Sequence, residues 1–453
     1  MLTIIAKIFR DKNVQSLSGN TINAALGFVS FILLTRSYEK EIFGQWVLYI
    51  TGSVFIEMFR FGLTKTAIVR FLSGAGAEEQ KKLKGTNYVT GLFITAIIAV
   101  LLFSASLLFP SAIESSGYKL FFTWYPLMAF LNFPYNNAIT LLQARQRFDL
   151  ILLLKASNIG CFVIFLALNL FFFKLDILSV VAVHLLLHFV FSLAAFFSGW
   201  DGHQHISSAN IGSAKKILNF GKYATGTLIS SNLLKSADTF IIALSPVLGA
   251  AGVATYSVPL KLTEVLAMPL KSLSATAFPK MSKAAMQNKL HEVQRLFYVY
   301  SGALTFFFVA LATGGFIFAR ELVVIVGGEH YADTAPVLRI FCIYALFLPT
   351  ERFAGVALDS LNLPHKNLKK VLMMSSANIV GDLIAVFGVI HFFPQITQLQ
   401  ILMLVASVTI LMTITGQIAG FNYLKKAIPL SYFYIFTAGK LFYTRDIKKH
   451  FRL

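Results

Sequence analysis

The sequence predicts an all-α polytopic membrane protein of about twelve transmembrane helices, and three observations predict it. Its 453 residues are 57% hydrophobic and only 13% charged, about half the charged fraction of an ordinary soluble domain. Apolar stretches of about 20 residues, enough to cross roughly 30 Å of hydrocarbon, recur from one end to the other and leave no soluble domain between them. Lys and Arg gather on one side of these stretches, as cytoplasmic loops require.

Taken in order, the spans fall near 17–36, 43–64, 86–109, 119–142, 150–173 and 177–200. A polar segment, DGHQHISSANIGSAKK, follows, and the second set falls near 221–245, 252–272, 297–319, 334–359, 369–392 and 399–421. The expected organisation is an N-terminal bundle over 1–200, a cytoplasmic linker over 201–220, a C-terminal bundle over 221–421 and a tail over 422–453. The N-terminal run MLTIIAKIFRDKN has no small-residue cleavage site and reads as an interfacial turn that is retained. The tail alternates aromatic with basic residues and is expected to lie on the cytoplasmic membrane face, held by anionic lipid.

Charge placement supports this count. The loops holding Lys81, Lys82 and Lys84, Arg145 and Arg147, Lys215 and Lys216, Lys280 and Lys283, and Lys369 and Lys370 fall on the side of the N-terminus and the tail. The opposite loops hold only Arg36, Lys40, Lys119, Lys174 and Arg320. The asymmetry puts both termini in the cytoplasm. The formal net charge of +19 is therefore a consequence of topology, and no nucleic-acid partner is expected.

Other chemistry is thin. Cys161 and Cys342 both lie in apolar segments and read as packing residues. His184 and His188 are four apart on one helix face, but no third zinc ligand accompanies them. No GxxxxGK[ST] loop occurs, so ATP hydrolysis is not expected, nor any other enzyme activity of its own.

The informative residues are ionisable groups inside spans, each costing about 2.5–3.5 kcal/mol against lipid. They are Arg60, Lys235, Lys261, Arg339 and Arg352, with Glu57, Asp238, Glu264, Glu351, Asp359 and Asp382. Glu57 and Arg60, Lys235 and Asp238, and Lys261 and Glu264 are each three apart and share a helix face. A stripe of Ser53, Glu57, Arg60 and Thr64 on the second span is matched by Asn20, Asn23, Gly27 and Ser30 on the first. Each acid can neutralise the neighbouring base and fix packing. Alternatively, Arg60, Lys235, Lys261 and Arg352, with Glu57, Asn20 and Asn23, face a wet cavity and receive an anionic ligand. Ser375, Asn378 and Asp382 share a face of the eleventh span, with Thr409 and Thr413 at similar depth on the twelfth. Such oxygen donors suit Na⁺, while a buried Asp can instead carry H⁺.

The two halves repeat a phrase at the start of their second helices, EIFGQWVLYITGSVFIE at 41–57 and AAGVATYSVPLKLTEVL at 250–266. Those phrases, with RFGLTKTAIVRF at 60–71, KSADTFIIALSPVLGAAGVATYSVPLKL at 235–262 and SATAFPKMSK, resemble the polysaccharide-exporter branch of the superfamily that also holds the multidrug and toxin extruders and the lipid II flippases. The resemblance implies two six-helix bundles around a V-shaped central cavity, alternating between inward-open and outward-open states. It implies a cargo of oligosaccharide on undecaprenyl pyrophosphate, destined for O-antigen, capsule or exopolysaccharide, in the bacterial inner membrane. The related lipid II flippases use an Asp on the seventh helix, an Asn and an Asp four apart on the eleventh and a Thr on the twelfth for sodium. Asp238, Asn378, Asp382 and Thr409 or Thr413 match that pattern. A monomer is expected, in contact with membrane lipids, with a polysaccharide polymerase as a candidate partner. The alternatives are a multidrug or cation antiporter of the same superfamily and a membrane-embedded glycan polymerase or ligase. The short outer loop near 320–333 disfavours the second.

Overall fold

The computed structural model of the chain describes residues 12–72 and 75–446, with the side chains of some helical residues, Asn20 and Lys235 among them, left undescribed. The regular structure among the described residues is helical, without strands. Eight segments among them are long and apolar enough to cross a membrane. Large apolar side chains such as Phe93, Phe103, Leu107, Ile164, Phe172 and Phe197 are exposed, which suits a lipid surface and not water. This is a membrane protein.

Contacts divide the chain into two compact units, 1–232 with 249–251, and 233–248 with 252–453. The first holds α1 (Lys12–Ser37), α2 (Lys40–Leu72), α3 (Ala77–Leu108), α4 (Lys119–Leu131), α5 (Phe133–Ala144), α6 (Phe148–Leu168) and α7 (Ile177–Phe197). The segment expected to cross as one helix at 119–142 is interrupted. Asn132 joins α4 to α5, Pro126 lies within α4 and Pro134 opens α5, because a proline lacks the N–H that would continue the ladder. The break turns Asn132 and Asn136 toward α2, where their amides meet Glu57.

The segment after α7 is ordered against this unit. A 3₁₀ turn over His203–Ser208 packs on α3, and Asn137 donates to the Asp201 carbonyl at 2.6 Å. Gly85 makes the approach possible, since a Cβ there would lie 1.8 Å from the His205 carbonyl oxygen. Helix α8 (Ile211–Ala243) begins immediately afterwards.

The second unit comprises the end of α8, then α9 (Gly249–Leu266) from Gly252 on, α10 (Met268–Met286), α11 (Leu290–Ile317), α12 (Ala335–Ser360), α13 (Pro364–Leu383), α14 (Gln398–Lys425) and α15 (Tyr432–Leu441). Its core joins Phe297 and Phe308 of α11, Phe353 of α12, Phe421 and Leu424 of α14 and Ile435 of α15. The tail helix α15 thus packs into the unit as well as presenting Phe433 and Phe436 outward. It crosses α11 backbone to backbone: a Cβ on Gly439 would lie 2.5 Å from the Gly302 carbonyl oxygen. Tyr298 accepts from the Ser431 N–H at 2.8 Å beside this crossing.

Candidate functional site

Asn378 and Asp382, one turn apart on α13, are buried, and Asp382 is 0% exposed. The Asn378 amide nitrogen donates to Asp382 at 2.7 Å and to Asp238 of α8 at 2.8 Å. Asp238 also accepts from the Tyr256 hydroxyl of α9 at 2.6 Å and from Thr409 of α14 at 3.2 Å. Four helices therefore converge on one carboxylate. Two oxygens in the cluster, Asn378 Oδ1 and Asp382 Oδ1, are buried without a hydrogen-bond partner. Buried unpaired acceptors are costly, and a hard cation satisfies them where another donor is lacking. Thr413 lies one turn away and donates instead to the Thr409 carbonyl at 2.9 Å. Ser375 donates to the Val371 carbonyl.

A second feature of this unit is a cavity of about 350 Å³ lined by Lys271, Ser274, Arg352, Glu351, Asn367 and Lys370. Arg352 donates through Nε to Ser274 at 3.2 Å, while Asn367 holds Asp359 at 3.0 Å. Lys370 differs from its expected place in a cytoplasmic loop. It is 1% exposed and paired with Glu351 at 2.6 Å, because α13 begins at Pro364 and carries it one and a half turns inward. Lys261 pairs with Glu264 at 2.9 Å, as their spacing predicts. Arg339 lies exposed over the Phe316 ring.

In the first unit, Arg60 does not face a wet cavity. It is 1% exposed and surrounded: Nε donates to Thr95 at 3.1 Å, one terminal nitrogen to Asn132 at 3.3 Å and to Glu57, the other to the Ala129 carbonyl at 2.6 Å. Glu57 in turn accepts from the Tyr125 hydroxyl at 2.9 Å. The α4–α5 break supplies most of these partners, and the pair is a packing element in this arrangement. Asn23 donates to the Gly19 carbonyl of its own helix at 2.8 Å. The side chains of Asn20 and Lys235 lie outside the described residues.

Two half-buried cations without a paired carboxylate are not apparent from the sequence. Lys65 of α2 and Lys155 of α6 are half-buried and near enough for their charges to repel, with no carboxylate paired to either among the described residues. Lys65 lies seven residues before the end of α2 and Lys155 seven after the start of α6, about 10 Å along each helix. Lys65 falls just beyond the expected span 43–64 and Lys155 inside 150–173, and neither is among the ionisable residues that the sequence singles out.

His184 and His188 are packed edge to face at 4.7 Å, with His184 among Trp46, Tyr49 and Phe162. No group of three or more His, Cys, Asp or Glu able to hold a metal occurs among the described residues.

Residues 11–285 match the family described as Polysaccharide biosynthesis protein. The chain belongs to that family. The match covers Lys65, Lys155, Asp238 and Tyr256 but ends before Arg352, Asn378, Asp382 and Thr409. No curated protein matches the sequence.

Solved structures fix the fold of this polysaccharide biosynthesis protein. An inward-facing multidrug-resistance MATE family transporter of the MOP superfamily aligns at 14% identity and TM-score 0.73, covering 91% of this chain and 98% of its own. The lipid II flippase MurJ, in an inward closed conformation, aligns at 13% identity and TM-score 0.71, covering 94% and 90%. A MOP superfamily transporter from Pyrococcus furiosus, described as having a binding pocket of reverse polarity, aligns at 13% identity and TM-score 0.55, covering 91% and 94%. The fold is that of the MOP transporters.

Proposed function

We propose that this chain is a flippase that carries an undecaprenyl-pyrophosphate-linked oligosaccharide from the cytoplasmic to the periplasmic leaflet of the bacterial inner membrane. Twelve spans in two six-helix bundles act by alternating access, and the chain performs no bond chemistry of its own. The observation that carries this reading is the Lys65–Lys155 pair. Two half-buried cations with no paired carboxylate are unfavourable by themselves, and a ligand bearing phosphate oxygens offsets them. In the second unit Arg352 and Lys271 beside the 350 Å³ cavity offer further cations, and Lys235 and Lys261 remain candidates. Arg60 and Glu57 support the scaffold and leave phosphate contact to these lysines.

Coupling is assigned to Asp238, Tyr256, Asn378, Asp382 and Thr409, with Thr413 bracing Thr409. Sodium suits this set better than a proton does. The unpartnered Asn378 Oδ1 is an amide oxygen that does not take up a proton at neutral pH but does ligate a hard cation.

The same acids favour a second reading, a cation antiporter of this superfamily. One experiment separates them. In a bacterium deprived of its own exporter, the wild-type chain restores surface glycan and Lys65→Gln/Lys155→Gln restores less than about a tenth as much at equal protein level. Full glycan from that variant contradicts the lysine assignment; resistance to cationic dyes without glycan selects the antiporter.

A further inference from the structure

Two clefts in the second unit meet at one side chain. The first, about 580 Å³, lies where α10 turns into α11 and is lined by Lys280, Lys283, Gln287 and Lys289, with Glu292 and Arg295. The second, about 620 Å³, is bounded by α11 and the tail helix α15. Tyr298, Val299, Tyr434 and Ala438 line it, with His291 and Arg295 at its mouth. Arg295 belongs to both.

Charge in the first cleft is one-sided. Glu292 is the sole acid among its lining residues and is held by Arg295 through two hydrogen bonds of 2.9 Å. Lys280 rests against the Tyr300 hydroxyl at 3.2 Å. Lys283 and Lys289 are exposed, with no acidic partner among the described residues. The second cleft has an apolar wall of Tyr298, Val299, Tyr434, Ala438 and Leu441 beside the polar Gln294 and Thr437. From His291 to Val299 it follows α11 for about 12 Å, toward the lipid that surrounds this helix. Its outer wall is α15, held by the Gly302–Gly439 crossing, the Ile435 contact, the stack of Tyr432 on Phe421 and a few hydrogen bonds.

We propose that the joined clefts bind one anionic phospholipid, its phosphate on Lys283 and Lys289 and an acyl chain along the α11–α15 groove, pinning the tail helix to the membrane body. Basic pockets between membrane helices take such head groups. A neutral lipid leaves the lysines uncompensated, and free phosphate leaves the groove unfilled. The inference is independent of the cargo, since none of these residues belongs to the transport or coupling sets.

Native mass spectrometry of the full-length protein in detergent tests it, with dioleoyl phosphatidylglycerol, dioleoyl phosphatidylcholine and inorganic phosphate as probes. Phosphatidylglycerol is retained at least about tenfold more tightly than phosphatidylcholine, and millimolar phosphate does not displace it. At about fivefold per lysine, Lys283→Gln/Lys289→Gln weakens retention roughly thirtyfold while Lys283→Arg/Lys289→Arg preserves it. Ala438→Trp, which fills the groove without altering a charge, also weakens it. Equal retention of the two lipids, displacement by phosphate, or unchanged retention in the Gln variant overturns the proposal. The wild-type comparison decides by itself should a variant fail to fold.

Discussion

The side-chain amide of Asn378 donates to Asp238 across 2.8 Å, joining two helices whose residues are 140 apart in sequence. The same nitrogen holds Asp382, so a single amide sets the spacing of two carboxylates. Its oxygen and one oxygen of Asp382 are left without partners.

That arrangement predicts the behaviour of Asp382→Asn. The variant folds, because an amide can occupy the same space, but it removes a charge from the cation ligands. Sodium affinity, read as sodium-dependent protection against thermal unfolding, falls about tenfold or more. Equal protection by sodium in variant and wild type would remove Asp382 from the coupling site.

Arg60 is expected to matter for stability before it matters for transport. Arg60→Met strands Glu57 beside Tyr125 and Asn132 and destabilises the protein by about 3–5 kcal/mol. The double variant Arg60→Met/Glu57→Gln recovers most of that loss. Thermal unfolding in detergent measures both, and an Arg60→Met protein as stable as wild type contradicts the packing role.

Asp201 carries the pH dependence. Burial between the 3₁₀ turn and α3 pushes its carboxyl up, against the opposing hydrogen bonds from His203. Its folded value thus exceeds its unfolded one, so the folded state binds the proton more tightly and loses stability as pH rises from about 4 through the folded value. Relative to wild type, Asp201→Asn becomes progressively more stable over that rise. A stability difference that stays flat or runs the other way between pH 4.5 and 8 contradicts this.

The tail helix depends on Gly439. Gly439→Val places side-chain atoms against the Gly302 carbonyl, and overpacking of this kind costs roughly 1–3 kcal/mol. Amides of 432–441 then exchange hydrogen about tenfold faster or more. Unaltered exchange means that the crossing does not hold the helix.

Much of the fold is legible because lipid imposes a length on every apolar stretch, and the interior acids stand out against it. Asn378 and Asp382 declare themselves by a four-residue spacing, and the family resemblance points to Asp238 and to Thr409 or Thr413. Tyr256 is not legible, since a tyrosine in an apolar run reads as core. Lys65 and Lys155 are missed. Lys65 lies just beyond the expected span 43–64, and Lys155 lies inside 150–173 without an acid three or four residues away to draw attention to it. The opposite error affects Arg60: its spacing from Glu57 reveals the pair, but the Asn132 and Ala129 partners come from a helix break that only the folded chain brings beside α2. Lys370 was likewise displaced from a loop into the interior by a helix that starts earlier than its apolar stretch.

The most direct measurement is translocation of a fluorescent undecaprenyl-pyrophosphate-linked oligosaccharide in proteoliposomes under a sodium gradient, read by quenching from the outer side. The account predicts protein-dependent movement that slows at least about tenfold in Lys65→Gln/Lys155→Gln. Movement no faster than in protein-free vesicles, or undiminished in that variant, contradicts it.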